Sequence, residues 1–312
     1  MDTKLAVTGT DTSIIQASQN IIQDWLNAER VRGQNESTLA TYRRGLARFT
    51  KWLTENGITN PTPADIAEFR VYELATYSVQ SVNLSLSAVR SFYRYLVEIG
   101  AIPYSPAAEV RGAKRSASKR HKRSELSDSE VLALLDTCDN SVTGIRDRAI
   151  ITLMAYCGLR TIEIHRANLS DLKTEAGRMT LAIQGKGRTE ADEVAVIPRS
   201  QEAVIRAWLA IRKKLGNDPA LFTSLSKRTR GGRLSTRSIR KVVKDRLLQA
   251  GIIADDKTTH SLRHSAITSA IRHGATPMQV QAMARHSSFD TTLNYIHEVN
   301  RLDAPAEDLI AY

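Results

Sequence analysis

Only two cysteines, Cys138 and Cys157, occur in the 312 residues, and neither stands in a CxxC or Cys/His spacing. Isolated thiols of this kind act as small core residues, so neither a disulfide nor a metal site is expected. Aromatic residues are scarce, at 5% of the chain. No apolar run approaches the roughly 20 residues that cross a bilayer, so no membrane span is expected. The opening MDTKLAVTGTDTS has neither the basic start nor the apolar stretch of a secretory signal, and a cytoplasmic protein is expected. No internal repeat with a period of 20 to 50 residues is evident.

What the chain does have is positive charge: 44 Lys and Arg against 33 Asp and Glu, a net charge of +11. That balance favours a polyanionic partner. Its distribution is uneven. Residues 1–110 hold ten basic and eleven acidic side chains, whereas 111–125, RGAKRSASKRHKRSE, hold seven basic and one acidic. The run shows no hydrophobic period and reads as a basic linker, either a solvated tether or a segment that tracks a nucleic acid.

The length exceeds what one hydrophobic core ordinarily serves, and the patterning divides it in two. After a flexible N-terminus, residues 1–13, apolar residues recur at helical spacing from Ile14 to Leu26 and again from Leu39 to Leu53, where Asn56-Gly57 stops the run. Pro61 and Pro63 mark a turn into a third helix near Ala64, and a fourth runs from about Val79 to Ile99. Four helices with short connections make a helical bundle over 14–110. The stripe of Tyr42, Phe49 and Trp52 reads as core. Ser127 followed by Glu130 is a helix N-cap signature that opens a second domain, 126–295. There MTLAIQ and VAVIP flank GKGRTEADE, a hairpin signal among further helices. The fold class is thus mainly α with a small β-hairpin or sheet, and residues 296–312 form a tail.

Four pieces of the second domain carry polar groups suited to chemistry. CGLRTIEIHR sets Arg160 after Gly158 with Glu163 three residues on, the hairpin tip projects Lys186 between glycines, THSLRHSAIT carries His260 and Arg263, and ARHSSFDTTLNYIH carries His286 and Tyr295. Alone, each has an ordinary reading: a surface ion pair, a solvated turn lysine, a chance pairing, a packed tyrosine. Together, in this order, they resemble the catalytic set of the tyrosine recombinases, the integrase family of site-specific DNA recombinases.

The resemblance covers essentially the whole chain. It implies an N-terminal helical core-binding domain, a mixed α+β catalytic domain, and a catalytic set of Arg160, Lys186, His260, Arg263, His286 and the nucleophile Tyr295, with Glu163 in support. It further implies a double-stranded DNA partner with a short inverted-repeat core site. Four protomers would assemble on it through the tail, where Leu302, Leu309 and Ile310 look made for a neighbouring subunit. In one place the chain departs from the family. Leu-Gly-His is usual where this sequence has Ala284-Arg285-His286, so the turn loses a glycine and gains a cation.

Cleaving a phosphodiester without metal needs a nucleophile, cations around the pentacovalent phosphorus and a proton donor for the leaving 5′ oxygen. Arg160 and Arg263 offer planar, permanently charged forks, and His286 adds a donor. His260 is the expected base or shuttle for Tyr295, whose ordinary pKa is near 10. Lys186 on its loop is the expected general acid. Glu163 orients an arginine and the loop backbone. A phosphotyrosine intermediate conserves the bond energy, so no cofactor is expected. His165, His264, His273 and His297 read as packing or surface residues. For DNA contact the candidates are Lys119, Arg120, Lys122 and Arg123 in the linker and Arg237, Arg240, Lys241 and Lys244 on a basic helix. The rivals are a type IB topoisomerase-like enzyme acting as a monomer and a non-enzymatic basic DNA-binding protein.

Overall fold

The structure, a computed structural model, describes residues 19–114, 124–185, 192–253, 256–303, 308 and 310, with the side chains of 300–303 left aside. Two compact units, Met1–Ser118 and Lys119–Tyr312, divide the chain. Lys119, Arg120, Lys122, Arg123 and Lys186 lie outside the described residues, as do Ile14 and Ile15.

The first unit contains α1 (Gln19–Val31), α2 (Glu36–Glu55), α3 (Pro63–Leu74) and α4 (Val79–Glu98). Local chemistry sets their ends. Asn35 caps α2 by accepting from the Thr38 N–H, and Thr62 caps α3 in a reciprocal box with Asp65, ahead of Pro63 at the first helical position. The core is aromatic: Phe49 meets Phe69 edge-on with centroids 5.0 Å apart, and Trp25 lies flat on the half-buried Tyr42 at 5.9 Å. Gly45 lets α2 approach α4, since a Cβ there would sit 2.9 Å from the Ser85 Cα. Arg70 donates to the Arg111 carbonyl at 2.8 Å, and the Asn83 amide both donates to the Ala113 carbonyl, 3.0 Å, and accepts its N–H, 2.8 Å.

The second unit is tied down from its first described residues. The Ser124 N–H donates to Asp256 at 3.2 Å, and the Leu126 N–H donates to the Ser265 hydroxyl at 2.7 Å. Then follow α5 (Asp128–Asp136), opened by the Ser127/Glu130 box, α6 (Val142–Cys157) and the short α7 (Thr161–Arg166). Helix α6 is buried nearly all round and forms the axis of the core, with Ile150, Ile151, Leu153 and Met154 fully enclosed. Cys138 and Cys157 are separate buried thiols.

The two expected hairpin strands belong to a three-stranded antiparallel sheet, β1 (Leu172–Glu175), β2 (Arg178–Ile183) and β3 (Glu193–Val196), in the order β1-β2-β3. Strand β2 is central, with Leu181 opposite Leu172 on one side and Ala195 on the other. Helices α8 (Glu202–Arg212), α9 (Thr236–Gln249), α10 (Thr259–Arg272), α11 (Pro277–Ala284) and α12 (Phe289–Asp303) complete the unit. Helix α12 continues through Tyr295 to Asp303 and buries Val299.

Candidate active site

Helix α6 ends at Gly158, whose left-handed backbone (φ 60°, ψ 28°) lets the Leu159 N–H close onto the Leu153 carbonyl at 3.3 Å. The chain turns at once into α7, with Arg160 as its N-cap residue. Glu163 is therefore not on a shared helix face with Arg160, as the spacing suggested. Its carboxylate folds back and accepts the Arg160 backbone N–H at 2.8 Å and Nη1 at 2.7 Å. A hydroxyl contact from Thr161 to Thr259, 3.1 Å, joins the starts of α7 and α10.

Helix α10 brings Arg263 under this turn, only 2% exposed. Its Nη1 donates to the Gly158 carbonyl at 2.5 Å, and Nη2 donates to the Ala284 carbonyl at the end of α11. Burial, with the neighbouring charges of Arg160 and Arg285, lowers its pKa to about 10.

The turn from α11 to α12 carries the residue that departs from the family pattern. Arg285 adopts the left-handed conformation, φ 53° and ψ 51°, that a glycine enters without strain, so the chain path survives the exchange. The guanidinium turns inward and donates from Nη2 to Glu163 Oε2 at 3.0 Å. Burial would raise the Glu163 pKa, but the Arg285 charge and the Arg160 hydrogen bonds hold it below the usual carboxylate range. Two guanidinium groups, of Arg160 and Arg285, thus meet on one ionised carboxylate.

His286 follows, its Nδ1 2.9 Å from the hydroxyl of the buried Thr292 and its ring stacked on Tyr295 with centroids 5.8 Å apart. Tyr295 is 5% exposed and packs against Ile267, Val280 and Ala284. Its hydroxyl is hydrogen-bonded to His264 Nδ1 at 2.8 Å. Burial pushes its pKa up to about 12; the Arg263 charge pulls the other way, Glu298 adds to the rise, and Arg160 opposes it.

His264, read from the sequence as packing, is buried and is the side chain bonded to the tyrosine. His260, one turn earlier, is exposed and meets the His264 ring edge-on at 5.2 Å. The signal available in the sequence was that four-residue spacing, which stacks the two rings on one face. Lys186 is not described, but the Gly185 carbonyl just before it accepts from Arg166 at 2.8 Å. Arg237, Arg240, Lys241 and Lys244 lie exposed along α9, with Lys241 paired to Asp245 at 2.8 Å. Among the described residues no cluster of three or more His, Cys, Asp or Glu is arranged to hold a metal ion, and no helix is long and apolar enough to cross a membrane.

Residues 124–301 match the phage integrase family, and 22–100 match the phage integrase N-terminal SAM-like domain. The chain belongs to the phage integrase family. It is a site-specific tyrosine recombinase, an enzyme that cleaves and rejoins DNA. A tyrosine recombinase XerC of Actinobacillus succinogenes is 31% identical over 288 residues, covering 89% of this chain and 92% of that protein. A tyrosine recombinase XerD of Lacticaseibacillus casei is 32% identical over 277 residues, covering 86% and 90%. In fold, this recombinase superposes on XerH bound to palindromic difH substrate with a TM-score of 0.72 at 20% identity, covering 97% of this chain and 90% of that one. A λ integrase dimer bound to a COC′ core site gives 0.65 at 18%, covering 88% and 96%.

Proposed function

We propose that this recombinase cuts duplex DNA at a short inverted-repeat core through a 3′-phosphotyrosine and exchanges strands by way of a Holliday junction, four protomers acting together. The carrying observation is the bond between the Tyr295 hydroxyl and His264 beside the Arg160 and Arg263 guanidinium groups. The phenolic oxygen forms a bond to phosphorus as the bond from phosphorus to the 5′ oxygen breaks. Its proton passes to His264, and the exposed His260 ring hands charge on towards solvent. This assigns His264 the contact with the tyrosine and leaves His260 as shuttle. Arg160, Arg263 and His286 stabilise the charge on the non-bridging oxygens, and Lys186 protonates the leaving 5′ oxygen. Rejoining is the same step reversed, with a 5′ hydroxyl attacking the phosphotyrosine.

The DNA is held by phosphate contacts from the linker cations Lys119, Arg120, Lys122 and Arg123 and from Arg237, Arg240, Lys241 and Lys244. Contacts of this kind fix position without reading bases. The tail beyond α12, where Ile310 is 57% exposed, engages a neighbouring protomer. The Xer relatives favour strand exchange over topoisomerase-like relaxation. The test begins with footprinting the purified protein on DNA flanking its gene. A nicked suicide duplex of the protected site should then yield a covalent adduct on a denaturing gel. Tyr295→Phe should bind the same duplex and yield none; an adduct from that variant would move the nucleophile elsewhere.

A further inference from the structure

Arg285 bears two costs that a glycine at the same position would not. A side chain in the left-handed region is strained, and a guanidinium whose side chain is only 2% exposed has given up its water. What it gains is a set of contacts on other elements. Nη1 donates to the Met283 carbonyl at 2.7 Å and to the Cys157 carbonyl at 3.4 Å. Nη2 donates to the Gly158 carbonyl at 3.2 Å and to Glu163 at 3.0 Å. Nε, buried without a hydrogen-bond partner among the described residues, lies 4.0 Å from Glu193 Oε2 at the start of β3. One side chain therefore joins the end of α6, the carboxylate of α7, the start of β3 and the end of α11. It also shares the Gly158 carbonyl with Arg263.

We propose that Arg285 is a positioning residue for DNA cleavage. It shares Glu163 Oε2 with the Arg160 backbone N–H so that Oε1 faces the Arg160 guanidinium, and it fixes the α6–α7 turn against the α11–α12 turn. Arg160 and Arg263 are thereby held at a set spacing before a phosphate arrives. Its own guanidinium is spent on protein carbonyls and on Glu163, so it acts through these neighbours.

The proposal rests on the recombinase reading above, and the test separates the two. The probe is the nicked duplex carrying the footprinted site, read for equilibrium binding by gel shift and for single-turnover adduct formation. If the wild type forms no adduct, the phosphotyrosine reading falls and the proposal with it; every other outcome bears on Arg285 alone. Arg285→Gly relieves the backbone and removes the cation. It should form adduct about 10²-fold more slowly, the scale of a small misplacement of reacting groups, while binding within about threefold of wild type. Arg285→Lys should recover most of that loss. In a Glu163→Gln background, Arg285→Gly should add less than about a threefold further loss, because the group it acts through is already altered. Should Arg285→Gly fail to fold, Arg285→Gln keeps the bulk without the charge and takes its place. Wild-type cleavage by Arg285→Gly, a parallel loss of binding and cleavage, or a full independent effect in the Glu163→Gln background would each overturn the proposal.

Discussion

At the scale of single residues the site is a problem of charge kept from water. Glu163 is 1% exposed and receives hydrogen bonds from Arg160 and Arg285, so its negative charge is what makes two inward guanidinium groups tolerable. Glu163→Gln should lower the stability of the catalytic unit by about 3 kcal/mol at neutral pH, the scale for breaking a buried pair. The sign with pH follows from the direction of the shift. The folded carboxyl titrates below its ordinary 4.5, so its contribution is complete above that pH and is lost as the pH falls through the lower folded value. Denaturant titrations of both proteins should give stabilities that differ at pH 7 and converge in acid. A constant gap would mean that the substitution acts through shape and not through charge.

At the scale of elements, helix ends were the legible part. Pro63 and the pair Ser127 with Glu130 announce α3 and α5 because the start of a helix is set by chemistry between near neighbours in sequence. Strand β1 was hidden for the same reason turned round. Three of its four residues, LKTE, are exposed, and its two-residue turn uses Ala176 and Gly177 at φ 48° and 71°, where Asn or Asp with Gly would have signalled it. In the site, the motifs gave the identity of the groups and not their partners. Arg160 and Glu163 meet through a cap, and Arg285 was noticeable as a lost glycine, yet carbonyls from a helix more than a hundred residues away decide where its cation goes. Packing between elements yields its own prediction at Gly45. Alanine there gains up to about 1 kcal/mol of helix propensity, but its Cβ would meet the Ser85 backbone at 2.9 Å, and overpacking of this sort costs about 1–3 kcal/mol. Gly45→Ala should therefore lower the melting temperature of the N-terminal unit. An unchanged or raised value would show that α2 and α4 separate at little cost.

At the scale of the whole molecule, each unit encloses its own apolar core, built on Trp25, Phe49 and Phe69 in one and on α6 in the other. The charge does not follow this division. Residues 1–110 are close to neutral while the short basic stretch after them holds seven cations. Neutralising Lys119, Arg120, Lys122 and Arg123 together should weaken binding to all DNA sequences alike. The slope of log affinity against log salt should fall by roughly 0.9 for each lost phosphate contact. Gel-shift titrations at several salt concentrations measure it, and an unchanged slope would return the segment to the role of a solvated tether.

The hydroxyl of Tyr295 is neutral at ordinary pH, enclosed, and already engaged with His264. A protein searching along DNA passes phosphates at every step, each chemically as open to attack as the right one. On the proposed mechanism, with the tyrosine sheathed in this way, contact alone does not commit the enzyme to a cut. Fidelity on that mechanism begins as idleness: most encounters end without a break because the hydroxyl is still bonded within the protein.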